Sequence, residues 1–589
     1  MQFIKMKWKT LPAVILLAAM SFTAVFAFQA PALNRSLRLA PLANGWVSEK
    51  AVLHLSDDSC LEKYRRTVSH DLGVGRFRPA SFIYSSLSYA LSPLMHGRLT
   101  GSNEDRDFID LVTGDLRLQS FIFLVVVSFS IFLFSLLIFL FSGSIFVTVI
   151  PICFISLSPA LSGNLLQNYI DSQEIPLVAA LSLWVFFFFC ALKNASNCRG
   201  IIYLIFSILF LLLIYLTKET ASVISVALTV CLSYMFLWDN RAESITCRKR
   251  ELFFYVSMLF FSLLLTGYVY LKVVRGNTQY GTGFAVTNVD LIFNNLVLLW
   301  SSLSWSSVTN IVTIFLFLLA LLLLIVKRKE SINGIPVYLH TCLLLLLISL
   351  GCGYFFIQLP WKYSLVKYLF PSVFFFSFGV SVSIVLVSDL CCGRYRNIAR
   401  ILMVSGYLFY FLYSYNAVHR FTGWYYENAT SGVSIVDELV VAIDQDAAAG
   451  ERKKLNIFVE YGTDAEWGKT VPWGKLHLMR LLNIERGYNI IDSDGKTLLN
   501  IRMPQDELTS FIQHDHAKNI YLTNRREELS ERKFDIVYKG YKSEKRPSEK
   551  LQFQHNENIF EYRKSDGHIL YTNKFDLPEF IFQKYIPVF

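Results

Sequence analysis

Charged residues are scarce in this chain. Only 17% of its 589 residues are Asp, Glu, Lys or Arg, whereas 54% are hydrophobic, and a soluble protein carries about a quarter charged residues. The shortage excludes a soluble globular protein and indicates many membrane-spanning helices. The net charge of +10 does not indicate a nucleic-acid partner, because the basic residues stand in short clusters between apolar runs, the distribution that the positive-inside rule produces.

The ten cysteines lack the paired spacing of a metal site. Several lie inside apolar runs, among them Cys153, Cys190 and Cys231, where a cysteine acts as a small core residue. Cys391 and Cys392 precede the basic stretch GRYR, which predicts a cytoplasmic loop, where thiols stay reduced. We therefore expect neither a zinc site nor a disulfide framework.

Eleven apolar runs are long enough to cross a membrane as helices, since a span needs about 20 residues. The runs predict a polytopic α-helical membrane protein. The predicted spans lie near residues 11–30, 119–141, 144–164, 176–193, 200–217, 220–238, 252–272, 307–326, 336–358, 370–390 and 399–417.

The basic clusters test this count independently, because Lys and Arg accumulate on the cytoplasmic side. The lysines at residues 5–9 place the N-terminus inside. With eleven spans, the basic clusters of four later loops also fall inside, without adding or dropping a span. Those clusters lie in the loops at residues 193–199, 248–250, 327–329 and 394–400.

Two long polar regions then fall outside, the first loop at about residues 31–118 and the segment after about residue 418. In the tail, short apolar runs such as LNIFVEY alternate with helical-looking stretches from Leu455 onward, which predicts a small α/β domain. We therefore divide the chain into a membrane domain, 1–420, and an extracytoplasmic α/β domain, 421–589. The first 30 residues also fit a cleaved signal peptide, an alternative that moves no other loop to the opposite side.

Ionisable residues gather at the predicted outer ends of the spans, where each is a functional hypothesis. Lys218, Lys362 and Lys367 are unexpected there, because outer loops are poor in basic residues. Cations beside aromatic residues suit a phosphate headgroup, although snorkelling lysines in an aromatic belt are the simpler alternative. The set comprises Asp57, Asp58, Arg76 and Arg78 in the first loop, then Asp171, Gln173, Glu174, Lys218, Glu219, Trp361, Lys362, Lys367 and Tyr368.

The stretch GVGRFRPASFIYSSLSYAL begins at Gly73. Arg76 and Arg78 precede Pro79, and proline is tolerated in the first turn of a helix. The apolar and aromatic residues that follow predict a helix lying on the membrane surface. Ordinary surface charge is the alternative for the two arginines.

The order of these features resembles the GT-C superfamily of integral membrane glycosyltransferases, such as the aminoarabinose transferases and protein O-mannosyltransferases. Asp57-Asp58 looks like the acidic motif that opens the long first loop in that superfamily. GRFRP, Gly75–Pro79, looks like its Arg-Pro element, and KYLFP, Lys367–Pro371, looks like its basic-aromatic-proline element. The resemblance covers about residues 1–420 and implies a GT-C-like fold.

The resemblance implies a polyprenyl-phosphate sugar as donor and a lipid, glycan or protein acceptor at the outer face of a membrane, which we expect to be a bacterial inner membrane. Asp57 or Asp58 would then be the base that takes the acceptor proton. The candidate donor-phosphate contacts are Arg76, Arg78, Lys218, Lys362 and Lys367, and the candidate acceptor or accessory residues are Asp171, Glu174, Glu219 and Tyr368.

No cofactor is expected. A divalent cation held by Asp57, Asp58 and Glu174 is the less favoured alternative.

Three other functions fit a chain with this many spans. A transporter or flippase of lipid-linked glycans commonly has repeated halves and charged positions at mid-membrane, whereas this sequence has no visible repeat and its charges gather at one face. An O-antigen polymerase or ligase usually carries its large loop late in the chain rather than first. A polytopic scaffold or receptor, with the tail as its working part, is the remaining alternative.

Overall fold

The protein is described by a computed structural model. The structure describes residues 11–36, 60–73, 77–80, 108–167, 173–238 apart from 196 and 245–275. It also describes residues 288–326 apart from 305, 331–360 apart from 333 and 334, 366–418 apart from 408, 412 and 416, and seven strands between residues 454 and 572.

Helices make up most of the described part of the membrane domain. The helices are α1 (Leu11–Ser36), α2 (Cys60–Gly73), α3 (Phe108–Ser142), α4 (Val149–Ser156), α5 (Pro159–Gln167), α6 (Glu174–Lys193), α7 (Cys198–Thr217), α8 (Val223–Trp238), α9 (Ile245–Arg275), α10 (Val289–Leu303), α11 (Ser307–Val326), α12 (Val337–Phe356) and α13 (Phe370–Cys391), with 3-10 turns at Phe146–Thr148, Glu219–Ser222, Val366–Leu369 and Gly393–Tyr395.

The predicted spans are confirmed within the described part of the chain. Ten helices there are long and apolar enough to cross a membrane, or eleven if one bent pair counts as a single span. The bent pair and the last span, Gly393–Tyr415, each coincide with a predicted run. This set of helices is that of an integral membrane protein. Which side each loop faces remains a prediction.

The bent pair lies where the sequence predicts a span near residues 144–164. Its halves, Phe146–Ser156 and Pro159–Leu165, meet at 47°, because Pro159 supplies no backbone N–H to continue the first helix. Two side chains form hydrogen bonds with backbone groups at the break, because an apolar surrounding offers these groups no water. Ser158 Oγ accepts from the Leu161 N–H at 3.1 Å, and Gln29 Nε2 of α1 donates to the Ser156 carbonyl at 2.6 Å.

Helices α6 and α7 form an antiparallel hairpin of equal arms. Each has 20 residues, about 30 Å at 1.5 Å per residue, which matches the hydrocarbon core. The arms approach closely at their turn, where a Cβ on Gly200 would lie 2.5 Å from the Asn194 carbonyl oxygen. Equal arms and a tight turn bring the first residue of α6, Glu174, beside the residue that follows α7, Lys218.

Helix α13 lies at the centre of the bundle, because 94% of the residues in its apolar stretch are buried. One of its serines bonds to the backbone of a neighbouring segment, since Ser381 Oγ donates to the Val147 carbonyl at 2.7 Å. By contrast, α7 exposes one apolar face that includes Ile201, Ile205 and Leu209. An apolar face of that kind suits lipid.

The tail contains two sets of strands. Strands β3 (Lys454–Glu460), β4 (Asn489–Ile491), β5 (Asn519–Thr523) and β6 (Ile536–Lys539) form a sheet in the order β4-β5-β3-β6, with every pairing parallel. Parallel neighbours need long crossover connections. These connections lie outside the described residues, so the α/β domain stays a prediction.

The remaining strands pair antiparallel. Strands β7 (Lys550–Gln554), β8 (Ile559–Arg563) and β9 (Ile569–Thr572) form a three-stranded sheet, and β1 (Ser331–Ile332) pairs with β2 (Ile335–Pro336) ahead of α12.

We predict that Gly200→Ala destabilises the α6–α7 hairpin. The new methyl group meets backbone atoms of Asn194, which cannot rotate away, and overpacking of this kind costs about 1–3 kcal/mol. The matched control is Gly267→Ala on α9, where an added Cβ has nothing within 4 Å. The thermal midpoint of the detergent-purified protein should fall for the first variant only. Equal midpoints for both variants would contradict the tight approach.

Candidate active site

A break between α7 and α8 places two opposite charges side by side. Helix α7 ends at Thr217, Lys218 has the extended backbone φ −157°, ψ 137°, and Glu219 begins a 3-10 turn. Because Lys218 is extended while its neighbours are helical, the side chains of Lys218 and Glu219 reach different segments. Each one pairs with a residue distant in the chain.

Lys218 pairs with Glu174 across the α6–α7 hairpin. Lys218 Nζ donates to Glu174 Oε1, and the two side chains are 7% and 1% exposed. Glu174 lies in the first turn of α6, where the helix dipole favours a negative charge. Since snorkelling keeps the charged group of a lysine in water, the snorkelling alternative does not describe Lys218.

Glu219 pairs with Arg78 of the first loop. Arg78 Nη2 donates to Glu219 Oε1 at 2.6 Å and Arg78 Nε donates to Glu219 Oε2 at 2.9 Å. This two-point geometry is the one that guanidinium and carboxylate groups favour. The arginine side chain is 9% exposed, so Arg78 is not an ordinary surface charge. The pair ties the first loop to the α7–α8 junction.

Tyr368 brings a fourth segment to these pairs. Lys218 Nζ lies over the Tyr368 ring, 4.8 Å from its centroid, and Tyr368 belongs to the 3-10 turn Val366–Leu369 that leads into α13. That turn packs against α5 and α10. On α10, Asn295 Nδ2 donates to the Leu359 carbonyl at 2.7 Å, which fixes the chain two residues before the basic loop at Trp361.

The structure thus brings together part of the residue set that the sequence singled out. We call Arg78, Glu174, Lys218, Glu219 and Tyr368 the ionic cluster. Its two cations and two carboxylates balance in charge. The cluster lies where several helices begin or end at one end of the bundle, as the alternation of spans predicted.

The other predicted site residues cannot be placed. Lys367 belongs to the same 3-10 turn as Tyr368, but its side chain is not among those described. The remaining ones lie outside the described residues, and they are Asp57, Asp58, Arg76, Asp171 and Lys362. Their roles stay predictions.

Gln173 is a residue that the sequence pointed out without giving it a role. It is the N-cap of α6, yet its side chain makes no capping hydrogen bond. It is 4% exposed, and neither its Nε2 nor its Oε1 has a hydrogen-bond partner among the described residues. Buried amides are nearly always hydrogen-bonded, so Gln173 is an additional candidate site residue. Sequence alone gives no signal for this, because a glutamine in a polar loop is ordinary.

The described side chains include no group of three His, Cys, Asp or Glu that could hold a metal ion. Of the three carboxylates considered for a divalent cation, only Glu174 belongs to the described part of the chain. The metal alternative stays a prediction.

No protein-family model and no curated protein matches the chain. Among solved structures, the chain is similar to the archaeal oligosaccharyltransferase AglB from Archaeoglobus fulgidus, in complex with an inhibitory peptide and a dolichol-phosphate. The match has a TM-score of 0.42 and 10% sequence identity, and it covers 80% of this chain and 64% of that one. The chain thus spans less than two thirds of AglB, and its function has to be argued from its own residues.

We predict that removing one partner of the Lys218–Glu174 pair destabilises the protein more than removing both. Lys218→Met leaves a buried carboxylate unpaired, which costs about 3–5 kcal/mol, whereas a neutral pair avoids that penalty. The thermal midpoint should therefore recover in part when Glu174→Gln is added to Lys218→Met.

The control is Lys249→Met, an exposed lysine of α9, which should change the free energy of unfolding by less than about 0.5 kcal/mol. If the stability losses of Lys218→Met and Glu174→Gln simply add in the double variant, Lys218 and Glu174 are not coupled.

Proposed function

We propose that the chain is a membrane glycosyltransferase of the outer face of a bacterial inner membrane, which moves a sugar from a polyprenyl-phosphate donor to a lipid, glycan or protein acceptor. The observation that carries the proposal is the ionic cluster. Arg78, Glu174 and Lys218 come from segments far apart in the chain, and they meet at one end of an apolar bundle.

A buried cluster of this kind is expensive in an apolar surrounding, which supports a functional reason for it. Taking a charge out of water costs several kcal/mol even when the charge is paired, and ionisable groups at membrane depth mark functional sites. A snorkelling belt or a solvated loop would leave these side chains exposed, whereas Lys218 is 6% exposed. The cluster therefore favours a built polar site over incidental surface charge.

The proposal assigns the donor phosphate chiefly to Arg76, Lys362 and Lys367. Arg78 and Lys218, for which the sequence predicted the same role, are each neutralised by a carboxylate. Because each is paired in this way, Arg78 and Lys218 add little net charge to hold a phosphate. Tyr368 follows Lys367 in the chain. The 3-10 turn that contributes Tyr368 to the ionic cluster therefore also contains a residue predicted to contact the phosphate.

The proposed reaction is a direct displacement at the sugar. Asp57 or Asp58 takes the proton of an acceptor hydroxyl as its oxygen bonds to the anomeric carbon. The bond from that carbon to the phosphate oxygen breaks, and its electron pair leaves with the lipid phosphate. The transition state has oxocarbenium character, and the cations stabilise the charge that develops on the leaving phosphate. One carboxylate base is enough, because no covalent enzyme intermediate forms.

A transporter of lipid-linked glycans is the second candidate, and one observation favours it. The bent pair Phe146–Ser156 and Pro159–Leu165 is a discontinuous helix, a common feature of transporter binding sites. At this break, however, Gln29 already donates to the freed Ser156 carbonyl, and the ionic cluster lies at helix ends rather than at mid-membrane. The enzyme is therefore the better supported function.

We predict that Asp57→Asn or Asp58→Asn lowers sugar transfer by at least about 100-fold, because the amide cannot accept the proton. Transfer should be measured in membranes supplied with lipid-linked radiolabelled sugar, at matched expression. The matched control is Asp290→Asn in the first turn of α10, which should keep its activity.

Full activity of both variants would remove the proposed base. Lipid-linked sugar that crosses the membrane without being transferred would favour the transporter.

A further inference from the structure

The hydrogen-bonding capacity around the start of α6 is only partly used by the protein. Gln173 Nε2, Gln173 Oε1 and Glu174 Oε2 are all buried without a partner among the described residues. Lys218 Nζ can donate three hydrogen bonds; it donates one to Glu174 Oε1 and lies over the Tyr368 ring. At the start of α6, at least three hydrogen-bond donors are therefore unused within the described part of the chain, counting both Gln173 amide hydrogens. Two acceptor atoms, Gln173 Oε1 and Glu174 Oε2, are unused there as well.

This mixture does not suit a phosphate. A phosphate oxygen accepts hydrogen bonds, so it could satisfy Gln173 Nε2 and Lys218 Nζ, but it would face the unpaired Glu174 Oε2 as a like charge. The Lys218–Glu174 pair is also neutral as a unit, so it does not attract an anion. A neutral ligand that both donates and accepts hydrogen bonds satisfies all of these groups.

Sugar hydroxyl groups have both properties. One hydroxyl can donate to Glu174 Oε2 while it accepts from Lys218 Nζ, and a neighbouring hydroxyl can do the same with the two ends of the Gln173 amide. We propose that Gln173, Glu174 and Lys218 form a subsite that binds hydroxyl groups of the donor sugar, beside the contacts that hold the donor phosphate. The inference rests on the proposed function and specifies which residues determine sugar specificity.

The subsite also explains why Gln173 occupies the N-cap of α6 without capping it. Ser, Thr, Asp and Asn are the side chains that cap helices well, whereas an unpaired buried amide destabilises the ligand-free protein. In the proposed subsite, the amide finds its hydrogen-bond partners only when sugar is bound. Removing the amide should then raise stability and weaken sugar binding, a combination typical of a functional residue.

The test measures the binding of two kinds of lipid probe to the full chain in nanodiscs. The probes are undecaprenyl phosphate and undecaprenyl-phosphate sugars carrying glucose, mannose, galactose or N-acetylglucosamine, with native mass spectrometry as the readout. The wild-type chain should bind at least one sugar-bearing lipid about tenfold more tightly than the bare lipid phosphate, the size of effect expected for one to two net hydrogen bonds.

Gln173→Leu should reduce this preference to about twofold or less while leaving the affinity for undecaprenyl phosphate unchanged, and its thermal midpoint without ligand should equal or exceed that of the wild type. Glu174→Gln should reduce the preference as well. Gln173→Leu is the decisive variant, because it leaves the Lys218–Glu174 pair intact.

Gln29→Leu is the matched control, because Gln29 is also buried but donates to Ser156 and Ser162. It should lose stability and keep the sugar preference. A full preference in Gln173→Leu, or no preference in the wild type despite binding of undecaprenyl phosphate, overturns the subsite and leaves the proposed function standing. Failure of the wild-type chain to bind any of these lipids contradicts the proposed function itself.

Discussion

The ion pair between Lys218 and Glu174 is the contact on which the rest of the site depends. A lysine buried in an apolar bundle needs a counterion at hydrogen-bond distance, and Glu174 supplies it from the opposite arm of the α6–α7 hairpin. That meeting requires arms of equal length, a turn tight enough to exclude a Cβ at Gly200, and an extended residue at the end of α7. The turn between α6 and α7 thereby sets the relative position of Lys218 and Glu174, which lie about 30 Å away at the other end of the hairpin.

Charge balance then divides the site into two functional parts. The ionic cluster is neutral, since Arg78 and Lys218 are each paired with a carboxylate. A neutral, partly unsatisfied cluster suits hydroxyl groups, while the anionic end of a lipid phosphate needs cations that remain unpaired. We propose the basic loop around Lys362 and Lys367 for that second role. The division refines the sequence interpretation, in which all of these cations served the phosphate.

The sequence predicted the spans well because length and hydrophobicity alone determine whether a helix can cross a bilayer. It also predicted that Arg78, Glu174 and Lys218 share one end of the bundle, because alternate helix ends face the same side. The pairing of Lys218 with Glu174, and of Glu219 with Arg78, could not be predicted, because it depends on which helices are neighbours. The bend at Pro159 and the unpaired amide of Gln173 also depend on tertiary contacts that no periodicity records.

The central claim is that the catalytic carboxylate, the phosphate-binding cations and the ionic cluster line one site. Its most direct test is an experimental structure of the full chain in nanodiscs with a bound undecaprenyl-phosphate sugar. We predict phosphate density at Lys362 or Lys367, Asp57 or Asp58 within about 3 Å of the acceptor position beside the sugar, and the Lys218–Glu174 pair on the sugar's hydroxyl side. A structure that places Asp57 and Asp58 on a surface separate from the Lys218–Glu174 pair would contradict the account.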